Sequence, residues 1–252
     1  KQVGLNVASD PLMSLEYVGI KGGMVILVAD DPGPISSQTE QDTRHFSRFS
    51  KLPCFDPSSA QEAYEMIQEA FEYSEKYGTP VFLRPTTRVC HGYASIMVKD
   101  ETEYTNHQPE GFIKASKCWV IFPRLSFMNH KKIEARNQEL SDIFSSYEKN
   151  TIHPSCDAFK NSKKGIATGG ISYTYTMETL KKTGMVKTLK IATPHPFPEK
   201  LAVDFLSGLD EVLCLEELDP VIERELIYIC GKYLMEQGRL EGNTIVTTVM
   251  SN

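Results

Sequence analysis

With 252 residues, a net charge of −6 and 24% charged against 40% hydrophobic side chains, the sequence has the make-up of a globular protein, long enough for one large core or two ordinary ones. A pI near 5.6 argues against a nucleic-acid surface, which needs a basic face, and no apolar run approaches the ~20 residues that cross a bilayer, nor is there a signal-peptide pattern. The six cysteines form no C-x-x-C pair, which removes zinc and iron–sulfur ligation from the chain's own pattern and fits free thiols in a reducing cytoplasm.

The chain opens on Lys1, and Val3-Gly4-Leu5-Asn6-Val7 reads as a strand already under way, which implies a piece of something longer. Asp10-Pro11 reads as an N-cap with proline at the first helical position, starting a short helix through Leu12, Leu15 and Val18. Gly22-Gly23 then opens the stretch around which the chain is organised. Met24-Val25-Ile26-Leu27-Val28-Ala29 is an unbroken apolar run bounded by Asp30-Asp31-Pro32-Gly33-Pro34, the pattern of a strand buried on both faces. Ile35 to Arg48 follows, and nearly every side chain there can donate or accept a hydrogen bond. In open α/β sheets ligands sit outside the carboxyl ends of strands, where this loop would lie.

The same residues also read as an ordinary capped surface helix. Ser37 with Glu40 makes a capping box, and Glu40 to Arg44 is a favourable i,i+4 pair. Against that, Arg44 and Arg48 are themselves i,i+4, a like-charge spacing that costs a few tenths of a kcal/mol unless an anion or acid lies between them.

Lys51 to Phe55 reads as a short strand, and Ser58-Ser59-Ala60-Gln61-Glu62 as a second capping box. Ala63, Met66, Ile67, Ala70 and Phe71 form one apolar helix face that Gly78 and Pro80 end. Val81 to Pro85 is a further strand. Strand and helix alternating on short turns means βαβ units and a parallel sheet, ending near His91. Residues 92–160 read as a connector, with a polar helix from Asn129 to Asn150 and a thin seam of Ile133, Leu140, Ile143 and Phe144. Its histidines, His107, His130 and His153, are too far apart in sequence to suggest a shared metal.

A second α/β block occupies 161–252. It reads as a strand from Lys164 to a Gly169-Gly170 turn, a helix from Ile171, a strand over Val186–Ala192 and a helix from Glu199. A strand over Glu211–Leu215, a helix from Val221 capped by Asp219-Pro220, and a last strand over Thr244–Val249 complete it. The glycine turn could cradle an anion, but it lacks both G-x-G-x-x-G and the P-loop pattern, and a tight βα turn is the simpler reading. Glu216-Glu217 invites an acid/base reading beside one of helix capping. The fold class is thus α/β, with two parallel-sheet domains joined by a partly helical connector.

Three quoted segments resemble the alpha subunit of indolepyruvate:ferredoxin oxidoreductase, a thiamine-diphosphate 2-oxoacid oxidoreductase: Val3 to Leu12, Gly22 to Pro34 and Ser36 to Arg44. Arg84-Pro85-Thr86-Thr87-Arg88-Val89 and Glu216 to Glu223 fit the same pattern. The resemblance implies that 1–91 is the later part of a pyrimidine-binding domain and 161–252 a domain like the C-terminal one of transketolase. It implies oxidative decarboxylation of an aryl 2-oxoacid with coenzyme A as acceptor and ferredoxin as electron carrier, alongside a beta subunit and in a possible homodimer. In the full enzyme it implies thiamine diphosphate, Mg²⁺ and [4Fe-4S] clusters, with none bound by this chain alone and no activity from it alone. The substrate-lining residues would be Ser36, Ser37, Gln38 and Asp42, with Arg44 or Arg48 on the substrate carboxylate, a task for a guanidinium fork. Asn6, Asp30 and Asp31 would face the cofactor. Another 2-oxoacid (pyruvate or a branched-chain acid) and a non-catalytic scaffold or dimerisation module are the competing readings.

Overall fold

The computed structural model describes residues 2–35, 37–104, 108–236 and 244–247. Ser36, His107 and the end of the predicted last strand, Thr248 and Val249, lie outside them. The elements run α1 (Gln2–Val18), β1 (Val25–Leu27), α2 (Thr43–Ser50), β2 (Cys54–Phe55), α3 (Ala60–Tyr77), β3 (Val81–Leu83) and α4 (Thr87–Cys90) in the first block. They continue as α5 (Ser116–Trp119), α6 (Pro123–Phe144), β4 (Thr151–His153), β5 (Lys164–Gly169), α7 (Gly170–Thr183) and β6 (Lys187–Ile191). The chain closes with α8 (Glu199–Leu206), β7 (Glu211–Leu215), α9 (Val221–Glu236) and β8 (Thr244–Thr247). No helix among the described residues is long and apolar enough to cross a membrane.

The first block is a three-stranded parallel sheet in the order β1-β3-β2. Two expectations fail here. Val3 to Val7 is helix, part of one unbroken α1 that carries Pro11 inside it. An interior proline costs about 3 kcal/mol. Leu5, Ala8 and Leu12, at helical spacing, bury against Val28, Leu52, Cys54 and Phe82, and that packing outweighs it. The apolar run at Met24 to Ala29 is an edge strand: Val25 and Ile26 are half-buried and Leu27 is 64% exposed. The strand buried on both faces is β3, where Val81, Phe82 and Leu83 are all buried.

α3 forms as its sequence pattern demands. The Ser59 side chain accepts from the Glu62 amide, and Gly78 closes the helix with φ +59°. Met66 and Ala70 pack with Phe55, Val81 and Leu83 against Leu140, Phe144 and Tyr147, so the seam of α6 completes the core of the first block. Ala192 from the far side joins the same cluster.

The second sheet has the order β4-β6-β5-β7-β8, parallel except for β4, which pairs antiparallel with β6. β4 falls within the predicted connector and was not foreseen there. Leu189, Ile191, Phe205, Val212, Ile222 and Leu226 belong to an apolar core between this sheet and α8 and α9. The two sheets are joined at an edge of the first: Cys54 N donates to His195 O at 2.7 Å and Asp56 N to Ala192 O at 2.8 Å.

Candidate functional site

Beyond β1 and β3 the chain turns from apolar to charged at the carboxyl ends of both strands. A parallel bridge pairs Asp30 with Thr86, and Thr87 N donates to Asp30 O at 2.9 Å. The Asp30 carboxylate accepts from Thr43 N at 2.9 Å, Thr43 Oγ1 at 2.5 Å and Arg84 Nε at 2.6 Å. Asp31 accepts from Ile35 N at 3.1 Å, Ser37 N at 2.9 Å and Thr87 Oγ1 at 2.8 Å. Both aspartates, expected to face a cofactor, therefore hold the chain's own loop in place. The capping box at Ser37 and Glu40 does not form. Glu40 instead accepts from Gly33 N at 2.7 Å, and α2 starts later with Asp42 as its N-cap.

Six charged side chains meet, buried, under this loop: Asp30, Asp42, Arg44, Asp56, Arg84 and Glu216, each 4% exposed or less except Asp42 at 8%. Arg84 Nη1 reaches both Asp56 oxygens at 3.2–3.3 Å. Arg44 Nε lies 2.9 Å from Asp42 Oδ1, while Nη1 donates to Glu216 Oε2 at 2.8 Å. Arg44 Nη2 donates to Asp42 Oδ2 at 2.6 Å, to Glu217 O at 2.7 Å and to Asp219 O at 2.8 Å. Glu216 in turn accepts from the amides of Val221, Ile222 and Glu223, so it caps α9 in the place predicted for Asp219.

Four carboxylates to two guanidiniums is an excess of acid, and the cluster divides it unevenly. Burial opposes ionisation of Asp42, but Arg44 and Arg84 outweigh it and hold the carboxyl well below its ordinary range. Burial dominates at Asp56 despite Arg84, and its carboxyl is pushed up to about 6. Both Asp56 oxygens lie 3.2 Å from where a Cβ on Gly170 would sit, and Gly170 has φ +50°. Only glycine lets the start of α7 come this close, so the glycine turn faces the protein's own carboxylate.

A second row of ion pairs crosses the same seam in contact with water. His45 Nε2 lies 3.0 Å from Asp219 Oδ2, Arg88 Nε donates to Glu217 Oε1 at 3.0 Å, and Arg48 pairs with Glu225. The arginine side chains differ sharply: Arg44 is 2% exposed and Arg48 56%. Next to this row a cavity of about 280 Å³ opens between α1 and α2, lined by Leu5, Asn6, Gln41, His45, Phe46 and Phe49 with Asp42 and Thr43 at its back.

The structure thus brings Asn6, Asp42, Arg44 and Arg48 to one region and keeps Ser37 half-buried and Gln38 exposed on the loop above it. Sequence reasoning missed the structural weight of Asp56, Arg84 and Glu216. A charged residue ending the apolar run Val81-Phe82-Leu83 was the signal for Arg84. Of metal-ligating groups, Asp42, His45 and Asp219 alone among the described residues bring three ligand atoms within 4.8 Å of one another. Arg44 already lies on the Asp42 carboxylate, which makes that set a poor cation site.

No family model matches the chain. It is 39% identical over 247 residues to the indolepyruvate oxidoreductase subunit IorA of Methanothermobacter thermautotrophicus, covering 96% of this chain and 39% of that protein. It is 40% identical over 231 residues to the IorA subunit of Pyrococcus abyssi, covering 90% of this chain and 35% of that one. The chain therefore spans between a third and two fifths of the length of the curated relatives it matches. Among solved structures, a 2-oxoglutarate:ferredoxin oxidoreductase from Magnetococcus marinus superposes with a TM-score of 0.61 over 98% of this chain and 48% of that one, at 14% identity. At that identity the likeness is one of fold.

Proposed function

We propose that this chain, which belongs to the indolepyruvate oxidoreductase IorA family, binds and orients the 2-oxoacid in an enzyme that decarboxylates it oxidatively and passes the electrons to ferredoxin. The whole reaction would convert an aryl 2-oxoacid anion and coenzyme A to an acyl-CoA and CO₂, releasing one proton and two electrons, the electrons passing one at a time to ferredoxin. The observation that carries this reading is the charged loop at the carboxyl ends of β1 and β3, set against the turn between β7 and α9 with a half-apolar cavity beside it.

Thiamine diphosphate, Mg²⁺ and iron–sulfur clusters belong to this reading of the enzyme, and the described residues offer no ligand set that fits the two metal groups. The cysteines supply no ligand cluster, and the single carboxylate–histidine group is occupied by Arg44. Those groups, a beta subunit and the ferredoxin contact belong to other parts of the assembly.

Within the chain, the roles divide by exposure. Arg44 has its donors on Asp42, Glu216 and two carbonyls, so its work is to dock the second block onto the first. Arg48 keeps its guanidinium in water beside Glu225 and is the one to hold a substrate carboxylate. Asn6, Ser37 and Gln38 supply polar lining, while Asp30, Asp31 and Asp42 hold the loop that presents them.

The test is 2-oxoacid-dependent reduction of ferredoxin by the assembled oxidoreductase that contains this chain. Activity on indolepyruvate, with KM raised at least tenfold by Arg48→Glu, is expected. No 2-oxoacid-dependent reduction would overturn the reading, and an unchanged KM would remove Arg48 from the carboxylate.

A further inference from the structure

The cavity between α1 and α2 has a composition that points to one kind of guest. Its volume of about 280 Å³ sits just below the ~300–1,000 Å³ of drug- and cofactor-sized sites. A space this small takes one side chain and is too small for coenzyme A or a nucleotide. Its walls are apolar and aromatic. Leu5 is buried, Phe46 is held edge-on against Phe82 at 5.9 Å between ring centroids, and Phe49 is left 69% exposed at the mouth. A large aromatic side chain standing in water beside a cavity gains apolar contact when something flat fills the space.

The polar part of the rim is an amide pair. Asn6 Nδ2 donates to Gln41 Oε1 at 2.9 Å, which leaves the second lone pair of that oxygen and the side-chain oxygen Oδ1 of Asn6 to accept from a guest. Of the acids nearby, Asp42 is paired with Arg44, and Asp219 Oδ2 lies 3.0 Å from His45 Nε2. An anionic group would still be repelled at this end of the cavity. Arg48, on the same helix as Phe46 and Phe49, is not part of this lining and carries its guanidinium to Glu225.

We propose that this cavity receives the aryl side chain of the 2-oxoacid, with Phe46 and Phe49 against the ring and the Asn6–Gln41 pair accepting a ring N–H, so that these residues select aryl over small 2-oxoacids. The proposal rests on the reading of the chain as part of a 2-oxoacid oxidoreductase. It adds which residues choose the acid.

Two measurements on the assembled oxidoreductase decide it, with Phe49→Ala and Gln41→Leu as variants because Phe46 also packs in the core. The first is the ratio of kcat/KM for indolepyruvate to kcat/KM for pyruvate. A fall of at least tenfold in either variant is expected, and an unchanged ratio in both would overturn the assignment. The second is equilibrium binding of indole-3-propionate, an aryl acid that cannot react. Wild-type protein is expected to bind it and Phe49→Ala to bind at least tenfold more weakly. Undiminished binding by that variant, or none by wild type at millimolar probe, would overturn the assignment. If no 2-oxoacid is turned over at all, the enzyme reading fails, while probe binding still decides the cavity.

Discussion

Two groups of ion pairs lie at the seam between the sheets, and they differ chiefly in exposure. The inner one crosses the seam through Arg44 and Glu216, and the outer one crosses it three times. In the inner row, Arg44 and Arg84 are buried among Asp30, Asp42, Asp56 and Glu216. In the outer row, His45, Arg48 and Arg88 meet Asp219, Glu225 and Glu217 with the basic side chain 40–56% exposed and Glu225 and Glu217 13%. Burial turns the inner charges into fixtures, because removing one strands its partners without solvent. Exposure of the Arg48 guanidinium lets it turn from Glu225 toward a ligand without leaving water, which is what ligand binding requires. Two arginines one helical turn apart therefore do unlike work.

The sharpest way to break this contrast is at Arg84. Arg84→Met leaves Asp30 and Asp56 without their guanidinium, and a loss of ~3–5 kcal/mol of unfolding free energy is expected in denaturant titration. A loss below ~1 kcal/mol would mean that the inner row is no more costly to break than the outer one.

A smaller effect comes from pH. Burial, reinforced by Arg48, Arg136 and Lys51, lowers the His195 imidazole from 6.5 to about 3. The unfolded chain then takes up this proton first as pH falls below 6.5, so His195 costs stability on acidification, about 1.4 kcal/mol per pH unit. Asp56 has the opposite sign. Its folded value of about 6 lies above the ordinary 3.8, so the folded state holds the proton and stability falls as pH rises through that window. His195→Gln should lose ~2–3 kcal/mol less than wild type between pH 6.5 and 4.5. Parallel stability curves for the two proteins would show that His195 protonates as easily folded as unfolded.

The smallest effect belongs to the outer row. Arg48→Ala should change stability by less than ~1 kcal/mol. A loss as large as that at Arg84 would mean that Arg48 docks the two blocks as the buried arginines do.

How far the sequence reveals all this depends on range. α3 was legible because its signals are local: the Ser59 cap, the apolar spacing of Met66 and Ala70, and Gly78 at the end. The strand ending at Gly169 and the strand at Glu211–Leu215 were legible for the same reason. α1 was misread because Pro11 is a strong local breaker, and only packing on Val28, Leu52 and Phe82 overrides it. β1 was misread because an apolar run does not say which neighbours a strand has; β3 took the centre. The polar stretch was found, yet the role of Arg44 was not, since Glu216 lies 172 positions away in sequence. The pairing of Asp56 with Arg84 was hidden likewise, because a charge beside a short strand acquires meaning only from its partner.

The central claim is that Arg44 docks the second block onto the first through Glu216. A double-mutant cycle of Arg44→Met and Glu216→Gln, read in denaturant titration, tests it most directly. The carbonyl oxygen of the Gln variant can still accept from Val221 and Ile222, and the bond it loses from Glu223 N is lost in both backgrounds, so the cycle subtracts it. A coupling of at least about 1.5 kcal/mol is the expected result. Effects that add to within about 0.5 kcal/mol would contradict the docking role and return Arg44 to the set of residues free to hold a ligand.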